Sequence, residues 1–316
     1  LAGQKVSETV GDVYVNTVKK TPHVFGAVYS LGMAVSRLTR KSPVYYVNSK
    51  MAKYLGPYLE KENFDAIVMP HLYPAETLTY MKRKGVSLPL TVAVMTDYTC
   101  IPFWEETDCD YYIVPHRDLL ETCVKRGIPR EKLLPFGIPV SRRFRLKADK
   151  EKAREYLGFP KDRKIFLLMG GSMGAGDLEK LTEKLWKEIG GLEGIAVICG
   201  SNKKIFQKLK KRYEEEKDVF IIGKTRQMEL YMKACDIIYT KPGGLTSTEA
   251  AVSRIPIVHT APIPGCESAN RRFFVSHKMS IAPRSAEEQV EEGIRLLESP
   301  EQVRAMEEAQ KNCISG

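Results

Sequence analysis

Short runs of apolar, β-branched residues alternate along the chain with longer segments in which apolar side chains recur every three or four positions. In the second half, the runs predict buried strands at residues 165–169, 195–200, 219–222, 236–240 and 256–260. The intervening segments predict amphipathic helices near 177–189, 203–216, 226–235 and 247–254. This alternation is typical of a parallel sheet with crossover helices, so we predict a doubly wound α/β domain.

The first half shows the same alternation less regularly. Its apolar runs predict strands at 65–70, 90–95, 111–115 and 133–139, with helices at 73–84 and 117–126. A chain of 316 residues exceeds what one core ordinarily fills, so two domains are expected. We place the N-terminal domain at 1–143 and the C-terminal domain at 144–316. Ligands of open α/β sheets bind beyond the carboxyl ends of the strands, which makes the strand-to-loop junctions the places to search.

Composition indicates a globular protein, with 43% hydrophobic and 28% charged residues. No apolar run approaches the roughly 20 residues that span a bilayer, and no signal peptide is visible. Seven cysteines without a CxxC pair predict reduced thiols, as in a cytosolic protein, rather than a disulfide or zinc framework.

The net charge of +10 is concentrated in one stretch. Residues 141–164 contribute +6, whereas residues 1–140 contribute only +3. This stretch is either a solvated linker or a face attracted to anions such as lipid headgroups, a phosphorylated substrate or nucleic acid. Segment 23–41 is apolar and aromatic with a basic end, and is either an interfacial helix or a buried core helix.

A glycine-rich loop, Gly170–Gly176, follows the predicted strand 165–169 and precedes a helix. Glycines there let backbone N–H groups approach a phosphate, and the helix start adds a favourable dipole. The loop is not a P-loop, because Asp177 stands where lysine would follow, and the GxGxxG order is absent. The loop therefore suits an anion without an ATPase or dinucleotide signature, although a packing role alone stays open.

A second such junction follows strand 236–240. Residues 241–244 predict a turn, and Thr246, Ser247 and Thr248 are expected to begin the helix, where capping of its N–H groups by their hydroxyls is the alternative to a ligand site. Glu249 is predicted in the first turn, either as a cap or as an acceptor for the two hydroxyls of a ribose. Two such loops on neighbouring strands indicate one elongated, phosphate-containing ligand.

A third junction, residues 261–270, follows strand 256–260. Glu267 and Asn270 are expected at the next helix start, where a carboxylate and an amide suit a polyhydroxylated ligand. A plain capped helix is the alternative.

In the first half, Asp97 follows a strand and is a candidate acid/base or orienting residue. Asp108 and Asp110 form a D-x-D pattern that leads straight into strand 111–115, so we interpret them as polar residues at a strand start and not as metal ligands. His71 follows strand 65–70 and is expected to cap the next helix rather than to act in catalysis.

The motifs GGSMGAG, QMELYMKACD, TKPGGLTSTEA and APIPGCESANRRFF together resemble the sugar-nucleotide half of the MurG-like glycosyltransferases of family 28. The first half is similar to the diacylglycerol glycosyltransferase branch, which includes the monogalactosyldiacylglycerol synthases, through MTDYTCIPFW, CDYYIVPHRDL and LLPFGIPV. The resemblance implies a GT-B fold, in which two Rossmann-like domains with parallel sheets face each other across the active-site cleft.

By position, the resemblance also implies a donor site. The diphosphate would contact Gly171, Ser172, Met173 and Gly174, and Gly244, Leu245 and Thr246 would line the phosphate side of the site. Thr225 would meet the uracil through its backbone, and Glu249 would bind the ribose hydroxyls. The hexose would face Cys266, Glu267 and Asn270.

The sequence departs from the family at three places. Cys266 stands where the family commonly has glutamine, so the hexose is not carried over. Ile101 occupies the position of a histidine found in many relatives. The family's first strand and glycine-rich loop are expected to precede Leu1.

The resemblance implies an enzyme that moves a hexose from a UDP-sugar to diacylglycerol or a glycosyl-diacylglycerol with inversion, without metal or other cofactor. Asp97 would be the base or its orienting partner. Residues 23–41 and 141–164 would dock the enzyme, as a peripheral cytoplasmic protein, on the anionic inner face of the cell membrane. We expect no nucleic-acid partner, since no nucleic-acid motif accompanies the basic charge. Two alternatives are transfer of N-acetylglucosamine to a polyprenyl-linked acceptor and a non-catalytic UDP-sugar-binding module.

Overall fold

The computed structural model describes residues 42–146, 149–170, 178–262 and 265–314. The chain divides into two compact units, Leu1–Ile138 and Pro139–Gly316. This division falls a few residues before the boundary predicted between 143 and 144. Segment 23–41 and most of the glycine-rich loop lie outside the described residues.

The N-terminal unit contains a four-stranded parallel sheet in the order β1-β2-β3-β4. Its strands are β1 (Ala66–Met69), β2 (Leu90–Val94), β3 (Tyr111–Ile113) and β4 (Leu133–Leu134). Its helices are α1 (Pro43–Ser49), α2 (Ala52–Lys61), α3 (Leu72–Arg83) and α4 (Leu120–Lys125), with 3₁₀ turns at Trp104–Glu106, Arg117–Leu119 and Arg130–Lys132.

The C-terminal unit contains a five-stranded parallel sheet in the order β7-β6-β5-β8-β9. Its strands are β5 (Ile165–Met169), β6 (Gly194–Ile198), β7 (Val219–Ile222), β8 (Ile237–Thr240) and β9 (Ile257–His259). Its helices are α5 (Arg142–Arg145), α6 (Lys150–Leu157), α7 (Leu178–Ile189), α8 (Lys203–Arg212), α9 (Met228–Ala234), α10 (Gly244–Ser253), α11 (Cys266–Ser276), α12 (Ala286–Glu298) and α13 (Pro300–Cys313).

The continuous apolar runs of this second sheet follow from burial on both faces. Every residue of β5, β6, β8 and β9 is buried. Helix α7 covers one face with side chains spaced three or four residues apart, including Leu178, Leu181 and Leu185. The predicted fold class, two α/β units with parallel sheets, is thereby confirmed.

The predicted strand 133–139 is wrong in its extent, because only Leu133–Leu134 pairs with β3. Pro135 has no N–H to donate to a ladder. The N–H of Phe136 instead donates to the carbonyl of Leu134 at 2.9 Å, and Gly137 takes a φ of +89°. The chain therefore turns directly after two paired residues.

None of the seven cysteines, all of which lie in the described part of the chain, forms a disulfide, as the odd count and the lack of a CxxC pair predicted. Within the described part of the chain, no helix has both the length and the apolar character to cross a membrane.

Gly293, in the middle of α12, lies against the ring of Tyr239 on β8. A Cβ at this position would overlap the Tyr239 hydroxyl and fall 2.7 Å from the ring carbon that carries it. Tyr239 is fully buried in the main core, and its hydroxyl has no hydrogen-bond partner among the described residues. The close approach of helix to strand therefore requires glycine here.

We predict that Gly293→Ala destabilises the protein, although replacing an interior helical glycine by alanine ordinarily stabilises by about 0.5–1 kcal/mol. Overpacking against a fixed ring should instead lower the free energy of unfolding by about 1–3 kcal/mol, measured by urea unfolding. Tyr239→Phe alone should be near neutral, because it removes an unpartnered hydroxyl, and should restore part of the loss in the double variant. A more stable Gly293→Ala protein would contradict this packing.

Candidate functional site

Three chain segments leave the C-terminal sheet side by side at the carboxyl ends of β5, β8 and β9. These strands are neighbours and parallel, so the segments that follow them meet at one edge of the sheet. The edge is held together by backbone pairing, since the N–H of Thr260 donates to the carbonyl of Thr240 at 2.9 Å. The three predicted junctions are therefore adjacent, although residues 171–177 and 263–264 lie outside the described residues.

Helix α10 begins earlier than predicted, at Gly244, with Gly243 as its N-cap. A glycine N-cap has no side chain to bond the first-turn N–H groups, and no side chain of the described residues caps them, which leaves them available to an anionic ligand or to water. The predicted capping role of Ser247 and Thr248 is wrong. The Thr248 hydroxyl donates to the carbonyl of Gly244 at 2.6 Å, within the helix. The Ser247 hydroxyl instead contacts the ring of His259.

Glu249 lies in the second turn of α10, not in the first turn as predicted, so it is not a helix cap. Burial raises the pKa of Glu249, and the negative charge of Glu229 at the start of α9 raises it further, to about 7. A half-buried carboxyl group with a raised pKa close to an open helix start is typical of a ligand-binding position.

Lys241, in the turn after β8, forms an ion pair with Glu267 in the first turn of α11. The Lys241 Nζ and Glu267 Oε1 atoms are 3.1 Å apart, and both side chains are largely buried. This pair joins the second and third junctions and brings a cation close to the start of α10. Sequence patterns did not predict the pairing.

The remaining described donor-site residues lie around the same edge. Asn270 is fully buried in α11, and Cys266, the first residue of α11, is half-buried. Leu245 is 52% exposed at the start of α10. Thr225 follows β7 and accepts a hydrogen bond from the N–H of Gln227 at 3.0 Å, directly before α9, which packs against α10.

The predicted diphosphate contacts Gly171, Ser172, Met173 and Gly174 lie outside the described residues, so their role stays a prediction. Of that loop the structure describes Gly170, which is buried at the end of β5.

A buried polar chain lies behind the start of α10 and was missed by sequence reasoning. His259 Nε2 is 3.0 Å from Ser247 Oγ, and His259 Nδ1 is 3.0 Å from Ser280 Oγ. Burial lowers the pKa of His259, and the positive charge of Arg271 lowers it further, to about 3. The ring is therefore neutral at neutral pH. These residues are 12 and 21 positions apart in the chain, and no local pattern marks their contact.

In the N-terminal unit, Asp97 and His71 follow the neighbouring strands β2 and β1. His71 is the N-cap of α3, where its Nδ1 accepts from the N–H of Tyr73 at 3.2 Å, which confirms the predicted capping role. Burial lowers the pKa of His71, and the negative charge of Asp97 opposes that shift. Asp97 is therefore close enough to a histidine to influence its charge, a neighbour that the sequence did not indicate.

Asp108 and Asp110 lie at the start of β3, as predicted. Lys132 Nζ is 2.8 Å from an Asp108 carboxylate oxygen, and Lys82 Nζ is 3.2 Å from Asp110. Asp110 also accepts from the N–H and hydroxyl of Thr91, both at 2.8 Å. These contacts tie the two carboxylates to the neighbouring chain segments.

The edge of the C-terminal sheet thus combines an open helix start, a partly buried lysine and a half-buried carboxyl group. Backbone N–H groups and a helix dipole favour an anion such as a phosphate. A carboxylate nearby favours hydroxyl donors. The arrangement suits a ligand with both phosphate and sugar.

Models of two known protein families match the two halves of the chain. A family model described as "Glycosyl transferases group 1" matches residues 149–312, more than half of the chain. A model described as "Monogalactosyldiacylglycerol (MGDG) synthase" matches residues 3–140. The chain therefore belongs to the glycosyltransferases. The match of residues 3–140 to the MGDG synthase model confirms the resemblance found in the motifs of the first half.

Relatives align along nearly the full chain. A processive diacylglycerol beta-glucosyltransferase of Bacillus cytotoxicus is 25% identical over 316 residues, covering 96% of this chain and 80% of the relative. An enzyme of the same description from Bacillus cereus is also 25% identical, over 319 residues, covering 97% of this chain and 81% of the relative.

Solved structures share the fold. MurG of Acinetobacter baumannii superposes with a TM-score of 0.60 at 14% identity, covering 85% of this chain and 75% of MurG. MnaA of S. aureus, from a co-structure with UDP, gives a TM-score of 0.63 at 14% identity, covering 85% of this chain and 76% of MnaA. At such identities the likeness shows the fold alone, which is GT-B.

Proposed function

We propose that the chain transfers a hexose from a UDP-sugar to diacylglycerol or a glycosyl-diacylglycerol. The observation that carries the donor half is the start of α10. Its open N–H groups, with Lys241 beside them and Glu249 one turn further on, match a diphosphate followed by a ribose.

The acceptor half rests on the N-terminal unit. Residues 3–140 match the model described as MGDG synthase, and the curated relatives cited above are described as diacylglycerol glucosyltransferases. A lipid acceptor agrees with both the family model and the descriptions of the relatives. Transfer to a polyprenyl-linked acceptor has no comparable support from the N-terminal half.

In the proposed reaction, the lipid hydroxyl oxygen forms a bond with the anomeric carbon while the bond from that carbon to UDP breaks, with inversion. The first-turn N–H groups of α10 would stabilise the negative charge that develops on UDP, in place of a metal ion. The Ser172 loop, extending from Gly170, would contribute further N–H groups. Asp97 would accept the hydroxyl proton or orient the group that does.

We predict UDP release when the protein is mixed with diacylglycerol vesicles and UDP-glucose or UDP-galactose, and no loss of that activity in EDTA. UDP-N-acetylglucosamine with a lipid-linked muropeptide should give little release, since that pair belongs to the alternative acceptor class. Binding of UDP without release from any donor would instead favour a non-catalytic binding module. Release only with the muropeptide would favour the polyprenyl acceptor.

Asp97→Asn provides the control for the chemical step. It keeps the side-chain size and should leave UDP affinity unchanged while lowering kcat by about a hundredfold or more. An unchanged kcat would remove Asp97 from the proposed mechanism.

We predict that Glu249→Ala weakens UDP binding by at least about tenfold, measured by calorimetry, because a carboxylate that accepts two hydroxyls is lost. With a pKa of about 7, the carboxyl is protonated below that pH and ionised above it. Ribose hydroxyls bond more strongly to the ionised form, so UDP affinity should rise with pH from about 6 to about 8.

Glu249→Gln separates this effect from the titration of UDP, whose own terminal phosphate ionises in a similar range. The difference between the wild-type and Glu249→Gln pH profiles isolates the carboxyl group. Glu292→Ala, which removes a glutamate of α12 whose side chain is 46% exposed, is the matched control and should bind UDP normally. Identical pH profiles for wild type and Glu249→Gln would contradict the ribose assignment.

We further propose peripheral association with an anionic membrane through α5. Its arginines 142, 143 and 145 are exposed, and Leu146, directly after them, is 53% exposed. Each arginine near an anionic surface contributes about 1 kcal/mol to binding. Segment 23–41 would add an apolar contact.

We predict salt-sensitive binding to vesicles that contain anionic lipid, measured by co-sedimentation. Replacing Arg142 and Arg145 by glutamate should weaken binding at least tenfold at low salt. The matched control makes the same charge change on α8, at the exposed residues Lys204 and Lys211. Equal losses in both variants would indicate a general charge effect and remove α5 as the docking surface.

A further inference from the structure

The ring of His259 contacts two of the helices that carry the proposed donor site. Its Nε2 is 3.0 Å from the hydroxyl of Ser247, which lies one turn after the start of α10. The ring also forms a T-shaped contact with the Phe274 ring on α11, with ring centroids 5.4 Å apart at 72°. Helix α11 begins with the proposed hexose contacts, so one side chain bridges both helices.

The backbone of His259 is fixed independently of these helices. His259 ends β9, where it is paired with Thr240 of β8. On its other side, the N–H of His259 donates to the carbonyl of Ile281 at 2.8 Å, and its Nδ1 is 3.0 Å from Ser280 Oγ. The ring therefore extends from a rigid strand toward α10 and α11.

The start of α10 has no side-chain cap among the described residues, so contacts from outside the helix contribute more to its position. Its N-cap is Gly243, preceded by a turn in which the N–H of Gly243 donates to the carbonyl of Lys241 at 2.8 Å. The hydroxyl of Thr248 is used within the helix. Ser247 is fully buried, and its hydroxyl forms a hydrogen bond from the first turn of α10 to His259 at the end of β9.

We propose that His259 is a positioning residue, which through Ser247 in the first turn of α10 and Phe274 near the end of α11 fixes the two helices in the relative position that donor binding needs. This inference rests on the proposed donor site. His259 touches no substrate in this account and acts only through the two helices. A neutral imidazole suits the role, since it offers one donor and one acceptor to two hydroxyl groups.

The test compares Ser247→Ala and His259→Leu with Gln310→Met. Gln310 is buried in the same region, and its amide donates to the carbonyls of Ile255 and Met279 at 3.0 and 3.2 Å, beside β9 and Ser280. Its replacement removes buried hydrogen bonds of the same region, and neither of them is made to the first two turns of α10. It therefore controls for a general loss of stability.

We predict that Ser247→Ala and His259→Leu raise the Kd for UDP and the KM for the donor about threefold to tenfold, with the acceptor KM unchanged. Gln310→Met should lower Tm similarly while leaving the Kd within twofold. Because Ser247 acts through His259, the double variant should bind UDP no worse than His259→Leu alone. Wild-type Kd values in both single variants would overturn the proposal.

Hydrogen exchange in UDP-free protein gives a second measurement that does not depend on the donor assignment. Amides of residues 244–249 should exchange faster in Ser247→Ala and His259→Leu than in wild type, and unchanged in Gln310→Met. If wild-type protein binds no UDP, the proposed donor site is wrong, and exchange alone decides whether His259 fixes α10. Equal exchange in all variants would overturn that part as well.

Discussion

The parallel pairing of β5, β8 and β9 is the constraint on which the C-terminal unit depends. Parallel strands end at the same edge, so each strand delivers its following loop to the same place. Strand pairing alone is enough to make neighbours of three segments that are far apart in sequence. The Lys241–Glu267 ion pair and the Thr240–Thr260 backbone bond then join segments that the sheet has already brought together.

Much of this arrangement could be predicted from sequence because burial leaves a clear pattern. Strands buried on both faces appear as continuous apolar runs, and the predicted strands of the second unit match the observed ones within one or two residues at each end. The segment at 133–139 has the same apolar character. There the strand ends early because Pro135 lacks an N–H and Gly137 has a positive φ. A prediction based on the number of apolar residues does not include these backbone properties.

The details of the site could be predicted less well, for two physical reasons. A run of Thr, Ser and Thr carries the signature of a helix cap, yet the glycines before it allow the helix to begin three residues earlier than that signature indicates. Contacts such as Ser247 with His259 join residues distant in sequence, and each residue alone is unremarkable in its local context. Donor-site assignments that rest on positional resemblance, including Thr225, Cys266 and Asn270, remain predictions.

The glycine at position 243 illustrates how little stability is lost in leaving a helix start uncapped. Serine or aspartate there would gain only a few tenths of a kcal/mol over glycine, while occupying the N–H groups that the proposed donor needs. In the proposed complex the diphosphate itself takes the place of the missing cap. Substrate then completes the secondary structure of the protein, and by mass action the thermal stability of the C-terminal unit would follow the concentration of the sugar nucleotide around it.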